Sequence, residues 1–265
     1  MLIDTHCHLT HERLWEDLEG VLEDGGQAGV GAVVAVASDL DDAREISKIC
    51  ERGRGSHPKE PRVWGTAGIH PHEASAAPVA ARERLLDTAR SYPRIVALGE
   101  CGLDYHYDLS PRDVQRRTFD VHIEVAQETG LPLVVHCRDA ETDMKSSIID
   151  AKAAGVRGVL HCFSGDLSLL DLALDAEWMV SFTGMVTFRM FGGAEAVRRV
   201  PEDCYMLETD GPYMAPVPFR GKRSEPAYIP MIRDRVAELR GETATKVERD
   251  STANAQHFFG ELLRS

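Results

Sequence analysis

The sequence predicts an α/β fold, a (β/α)8 TIM-type barrel forming a single domain over residues 1–265, and three observations lead there. Short β-branched runs, eight in all, alternate with longer amphipathic stretches. Runs such as Val33–Ala37 and Leu133–Val135 are almost continuously hydrophobic, which suits strands buried on both faces of a closed parallel sheet. The runs also end on ligand-type residues: His6, His70, Glu100, His136, His161 and Asp210 each sit at or next to a C-terminal end. In a barrel those ends converge on one face, where active sites lie.

Taken in order, the expected strands are Leu2–His6, Gly31–Ala37, Val63–His70, Arg94–Glu100, Leu131–His136, Val156–His161, Glu177–Thr183 and Asp203–Asp210. Helix-like segments lie between them. The clearest runs from Pro111 to Thr129, with Ser110 as N-cap, Pro111 at the first helical position and Gly130 closing it. The loop His57–Arg62 and the stretch Gly211–Pro230 are the expected long excursions, and the second, following strand eight, would overhang the active face. The tail Val247–Leu263 reads as a last amphipathic helix packing through Phe258, Phe259, Leu262 and Leu263.

Composition narrows the function. With 43 Asp and Glu against 30 Lys and Arg, the net charge of −13 argues against broad electrostatic capture of nucleic acid or an anionic membrane. A polyanionic substrate must be held locally, by metal ions or a small basic cluster. No apolar run approaches the ~20 residues of a membrane span. The six cysteines form no CxxC pair and are widely spread, which fits free thiols in a reducing cytoplasm. No leader-like segment is apparent, and the chemistry is expected to begin at His6, so trimming the N-terminus would touch the site.

His6 and His8 project to the same side of an extended strand while Cys7 turns away. Adding Glu100, His136, His161 and Asp210 makes four imidazoles and two carboxylates. One ion rarely uses six protein ligands, so the count points to two divalent metal ions sharing a bridging carboxylate. Mixed nitrogen and oxygen ligation suits Zn, Mn, Fe, Co or Ni, with Mg fitting a carboxylate-dominated position. Cys7, Cys101, Cys137 and Cys162 each follow one of these residues and by alternation turn outward as small hydrophobes.

The segments LIDTHCHL, GIHPHEA, ALGECGLDYH, LVVHCRDA, LHCFSG and LETDGPYMAPVPFRGKRSEPAY, in this order from Ile3 to about Asn254, closely resemble the TatD family of metal-dependent deoxyribonucleases in the amidohydrolase superfamily. The resemblance implies that His6, His8 and Asp210 hold one metal, that His136 and His161 hold the other, and that Glu100 bridges them. Many amidohydrolase relatives bridge with a carboxylated lysine; Glu100 follows the TatD branch. The implied activity is exonuclease-type phosphodiester hydrolysis of DNA ends or single-stranded DNA by a metal-activated water, with Glu100 and Asp210 catalytic and Asp210 taking or relaying the water proton.

Five residues are candidates for substrate contacts. Arg220, Lys222 and Arg223, on the loop after strand eight, are a phosphate-binding cluster or a solvated loop. Arg138 follows His136, and alternation could turn it away from the pocket. His70, paired with His72 across Pro71, is expected to hydrogen-bond substrate or a phosphate oxygen rather than to ligate metal. Glu208, sharing Asp210's parity, could orient a ligand from one layer below. Tyr105, Tyr107 and Tyr213 are candidates for stacking bases or for packing at the rim.

Two other functions compete. A dinuclear centre activates water regardless of the bond attacked, so a hydrolase of an ester, amide or aminoacyl bond, for example a D-aminoacyl-tRNA deacylase, is the alternative, favoured by the acidic surface. A non-enzymatic barrel scaffold would be expected to have lost a ligand, and all six are present. No membrane and no obligate protein partner is expected.

Overall fold

The structure is a computed structural model and describes residues 1–52 and 60–260. Residues 57–59 of the loop expected at His57–Arg62, and Leu262 and Leu263 of the expected last helix, lie outside the described residues.

Eight strands among the described residues form one sheet in chain order: β1 (Leu2–Cys7), β2 (Val30–Ala35), β3 (Arg62–Ala67), β4 (Ile95–Asp104), β5 (Leu133–Arg138), β6 (Gly158–Leu160), β7 (Met179–Phe182) and β8 (Tyr205–Leu207). Every neighbouring pair is parallel. The ring closes above β8: Cys7 and Gly211 form a parallel bridge, Asp210 N donates to His6 O at 2.9 Å and His8 N donates to Gly211 O at 2.7 Å. The predicted barrel is the observed one.

Alternation sorts the side chains into two layers. Ala32, Val34, Trp64, Val134, Val159, Met179 and Met206 form one buried cluster, the packed barrel interior, together with Phe258 and Phe259 of the last helix. Val33, Val63, Leu133, Leu160, Val180 and Leu207, of opposite parity, belong to the layer between sheet and helices. Continuing the inward parity upward leads from Val134 to His136, from Val159 to His161 and from Met206 to Asp210. The same rule that fills the core therefore delivers the polar groups to its top.

Several boundaries differ from expectation. Helix Arg112–Thr129 starts one residue late, with Pro111 as its cap residue and no side-chain cap. Ser110 Oγ instead accepts from Ser75 N and donates to His72 O, so a tertiary contact takes the hydroxyl. Gly130 does close the helix, in the left-handed conformation at φ 74°. β8 stops at Leu207, three residues before Asp210, and β3 stops at Ala67, three before His70. β4 continues four residues past Glu100.

Candidate metal centre

Glu100 is the middle of the site. β4 slips register on β5 between Leu98 and Cys101, a bulge that re-aims the chain at that carboxylate. Gly99 makes this possible: it sits at φ 141°, and a Cβ there would lie 2.4 Å from Val134 O. The Thr66 hydroxyl donates to Gly99 O and holds the bulge from β3.

The two oxygens of Glu100 face different groups. His6 Nε2 and His8 Nε2 lie 3.3 and 3.4 Å from Oε2. His161 Nε2, His136 Nδ1 and His70 Nε2 lie 2.8, 2.9 and 3.4 Å from Oε1. Asp210 Oδ1 joins the first group, 3.6 Å from His8 Nε2 and 3.8 Å from His6 Nε2. Asp210 holds a left-handed backbone at φ 52°, a strained conformation for a non-glycine residue of the kind that clusters at functional sites. All six residues expected as ligands thus meet in one place.

Several of these atoms lack the partners that burial demands. Glu100 Oε2 and His6 Nδ1 are buried without a hydrogen bond. His6 Nε2 and His8 Nε2 face each other at 3.2 Å, and His136 Nδ1 faces His161 Nε2 at 3.1 Å, so ring nitrogens converge on common points. A divalent cation relieves both conditions, and the donor set of imidazoles and carboxylates suits one. His6, His8 and Glu100 are close enough together to hold an ion, as are His70, Glu100 and His136, and His6, His161 and Glu208.

The electrostatics express the same demand for positive charge. Burial opposes ionisation of Glu100, yet His161, His70 and His6 hold it well below the usual carboxylate range. Burial likewise opposes ionisation of Asp210, and His8 and His6 bring it down. His161 is driven well above its ordinary value against burial by Glu100 and Glu208. His70 goes the other way, lowered by burial to about 4. Its Nδ1 accepts from His72 N at 3.1 Å, so a neutral ring carries its proton on Nε2, pointing at the cluster. With that proton His70 faces the cluster as a donor.

A cleft of ≈ 990 Å³ opens above the cluster. Arg138 lines it: two residues past His136 it shares that residue's parity, so alternation brings it in rather than turning it away. The basic loop is a correction. Arg220, Lys222 and Arg223 do not line the cleft. Arg220 lies over the Phe188 ring at 4.6 Å and Lys222 Nζ 5.9 Å from the Phe219 ring, both exposed. Arg223 is engaged by Glu225 at 2.8 Å and Asp17 at 3.4 Å. Tyr107 and Tyr213 line the cleft, whereas the Tyr105 hydroxyl is bound to Asp143 at 2.6 Å. Asp39, Asp42, Glu73, Asp139 and Glu141 add five carboxylates to a wall that also includes Leu109, Met185 and Met214.

Glu208 is buried beneath His161, its Oε1 accepting from Cys162 N at 2.6 Å and standing 3.5 Å from His161 Nδ1. The thiols of Cys7 and Cys101 pack in the outer layer. All six cysteines are unpaired. Two carboxylates escaped the sequence reading. Asp4 accepts from His6 N at 3.3 Å and Thr209 N at 2.9 Å, tying β1 to the segment before Asp210, and burial raises it to about 7. Its signal was its place two residues before His6, on the same parity. Asp104 lies 3.1 Å from His136 Nε2 and 3.0 Å from His72 Nε2, contacts that no local pattern announces.

Imidazoles and carboxylates gathered at the C-terminal mouth of a parallel barrel define a metal-dependent hydrolase of the barrel class. The TatD related DNase family model matches residues 3–260, and the chain belongs to that family. It is 34% identical over 262 residues, 98% of this chain and 99% of that protein, to the uncharacterized metal-dependent hydrolase YabD of Bacillus subtilis (strain 168). It is 31% identical over 271 residues, the whole of both chains, to the 3′-5′ ssDNA/RNA exonuclease TatD of Citrobacter rodentium (strain ICC168). The crystal structure of YJJV, a TatD homolog from Escherichia coli K12, has the same fold, with a TM-score of 0.88 at 24% identity over 97% of each chain. No helix among the described residues is long and apolar enough to cross a membrane.

Proposed function

We propose that the protein is a cytoplasmic exonuclease that hydrolyses phosphodiester bonds at DNA ends or in single-stranded DNA, with residues 1–265 acting as one domain. His6, His8 and Asp210 would hold one divalent ion, His136 and His161 a second, and Glu100 both. Such ions lower the pKa of water and neutralise charge on the phosphoryl oxygens. The residues around them do the rest. Asp210 reaches the cleft and takes the proton of the attacking water. His70 donates its Nε2 proton to a phosphoryl oxygen, and Arg138 pairs with a neighbouring phosphate. Tyr107 and Tyr213 offer ring faces to the terminal bases.

The observation that carries hydrolysis is the division of Glu100, one oxygen facing His6 and His8 and the other His136 and His161. The exonuclease named among the relatives, matching end to end, supports nucleic acid as substrate. The unpaired cysteines support a reducing compartment. The test is protein loaded with Mn, Zn or Mg and given end-labelled single-stranded DNA. A ladder shortened from one end is expected. The acidic cleft wall favours a second reading, a hydrolase of a smaller ester, amide or aminoacyl bond. Intact DNA beside rapid cleavage of a D-aminoacyl ester would select it.

A further inference from the structure

We infer that Asp104 is a positioning residue, which fixes the His136 ring with Nδ1 turned to Glu100 and with its other oxygen holds the Tyr107 wall of the cleft. The inference rests on His136 being a metal ligand.

The two nitrogens of His136 have different neighbours. Nδ1 lies 2.9 Å from Glu100 Oε1 and 3.1 Å from His161 Nε2, and Nε2 lies 3.1 Å from Asp104 Oδ2. A neutral imidazole carries one proton; Glu100 competes for it at Nδ1, but with a cation held on that side only Asp104 can accept it, from Nε2. The Nδ1 lone pair is then left facing Glu100, as ligation requires. Asp104 Oδ2 also faces His72 Nε2 at 3.0 Å, so one oxygen serves two imidazoles.

The other oxygen works on the chain. Asp104 Oδ1 accepts from His106 N at 3.0 Å and from Tyr107 N at 2.8 Å. This loop presents Tyr107 to the cleft, with the Arg138 guanidinium 4.8 Å from the ring centroid. Asp104 itself is buried, and its backbone is gripped on both sides by Gln115, whose Oε1 accepts from Asp104 N and whose Nε2 donates to Asp104 O. The carboxylate is therefore a fixed point between a ligand and a substrate-contacting wall.

Asparagine cannot replace it. With its oxygen toward the imidazoles, its amide group meets two backbone N–H donors. With its oxygen toward the loop, the amide donates to His136 Nε2 and drives the ring proton to Nδ1, where it blocks the lone pair.

The first measurement uses the unaltered protein, labelled with 15N-histidine and loaded with Zn. Two-bond nitrogen–proton correlations should show His136 protonated on Nε2 and metal-shifted at Nδ1; the reverse pattern overturns the inference. The second compares Asp104→Asn with the unaltered chain by chelator competition. Affinity for the ion should fall 10- to 100-fold, while the metal-free variant keeps the circular dichroism spectrum of the metal-free parent. Parent-like affinity in the variant overturns the positioning role and leaves the metal reading standing. Failure of the unaltered protein to bind any divalent ion overturns both.

Discussion

His161 Nε2 lies 2.8 Å from Glu100 Oε1, on the oxygen opposite the one that faces His6 and His8. Each oxygen thus serves imidazoles from different strands, and losing this one side chain disconnects both sets.

Glu100→Ala should therefore lose bound metal and turnover together. Forfeiting one Lewis acid costs several kcal/mol of transition-state stabilisation, so kcat/KM should fall about a thousandfold or more. Elemental analysis beside the strand assay checks this; a variant with near-parental activity refutes the assignment.

His70→Phe separates donation from ligation. Since Nδ1 is taken by His72 N, His70 offers a proton and no lone pair toward the cluster. Removing a donor to a developing oxyanion costs about a hundredfold in kcat, or roughly 2.7 kcal/mol. Metal content should be unchanged, and loss of an ion from this variant would make His70 a ligand.

Salt dependence reads how many phosphates are held. Arg138 is on the cleft wall and the loop cations are not, so affinity for single strands should fall with log salt at a slope of about −0.7 to −1.4, one or two contacts. Arg138→Ala should flatten that slope by about 0.7, while Arg220→Ala with Lys222→Ala should leave it as it was.

Acid should weaken the fold through His122, a buried ring outside the site. Its Nε2 accepts from Ile69 N and its Nδ1 donates to Thr118 O, and burial lowers its pKa from 6.5 to about 4. The unfolded chain takes up this proton first. The contribution of His122 is therefore complete above pH ~6.5, declines as the pH falls toward ~4, and levels off below that. At 1.36 kcal/mol per unit the loss is about 3 kcal/mol. Denaturant midpoints of the parent minus those of His122→Gln should trace this window, and a flat difference refutes it.

The ligand set was legible because parity carries it: a residue two past an inward core position is inward again, so His136 follows Val134 and His161 follows Val159. Three features were not legible, each for a long-range reason. Asp104 acts on His72 and His136, each 32 residues away in sequence. Arg223 loses its availability to Asp17, 206 residues distant. Ser110 leaves its helix for Ser75 and His72. The reach of β4 beyond Glu100 depends on a bulge that Gly99 permits but does not by itself announce.

The bridge between Cys7 and Gly211 has a consequence for synthesis. His6 is synthesised well before Asp210, and neither is in place until the ring shuts. A chain stalled before Asp210 carries only part of the expected ligand set. The six side chains can share one cation pair only after the two ends of the sheet have met.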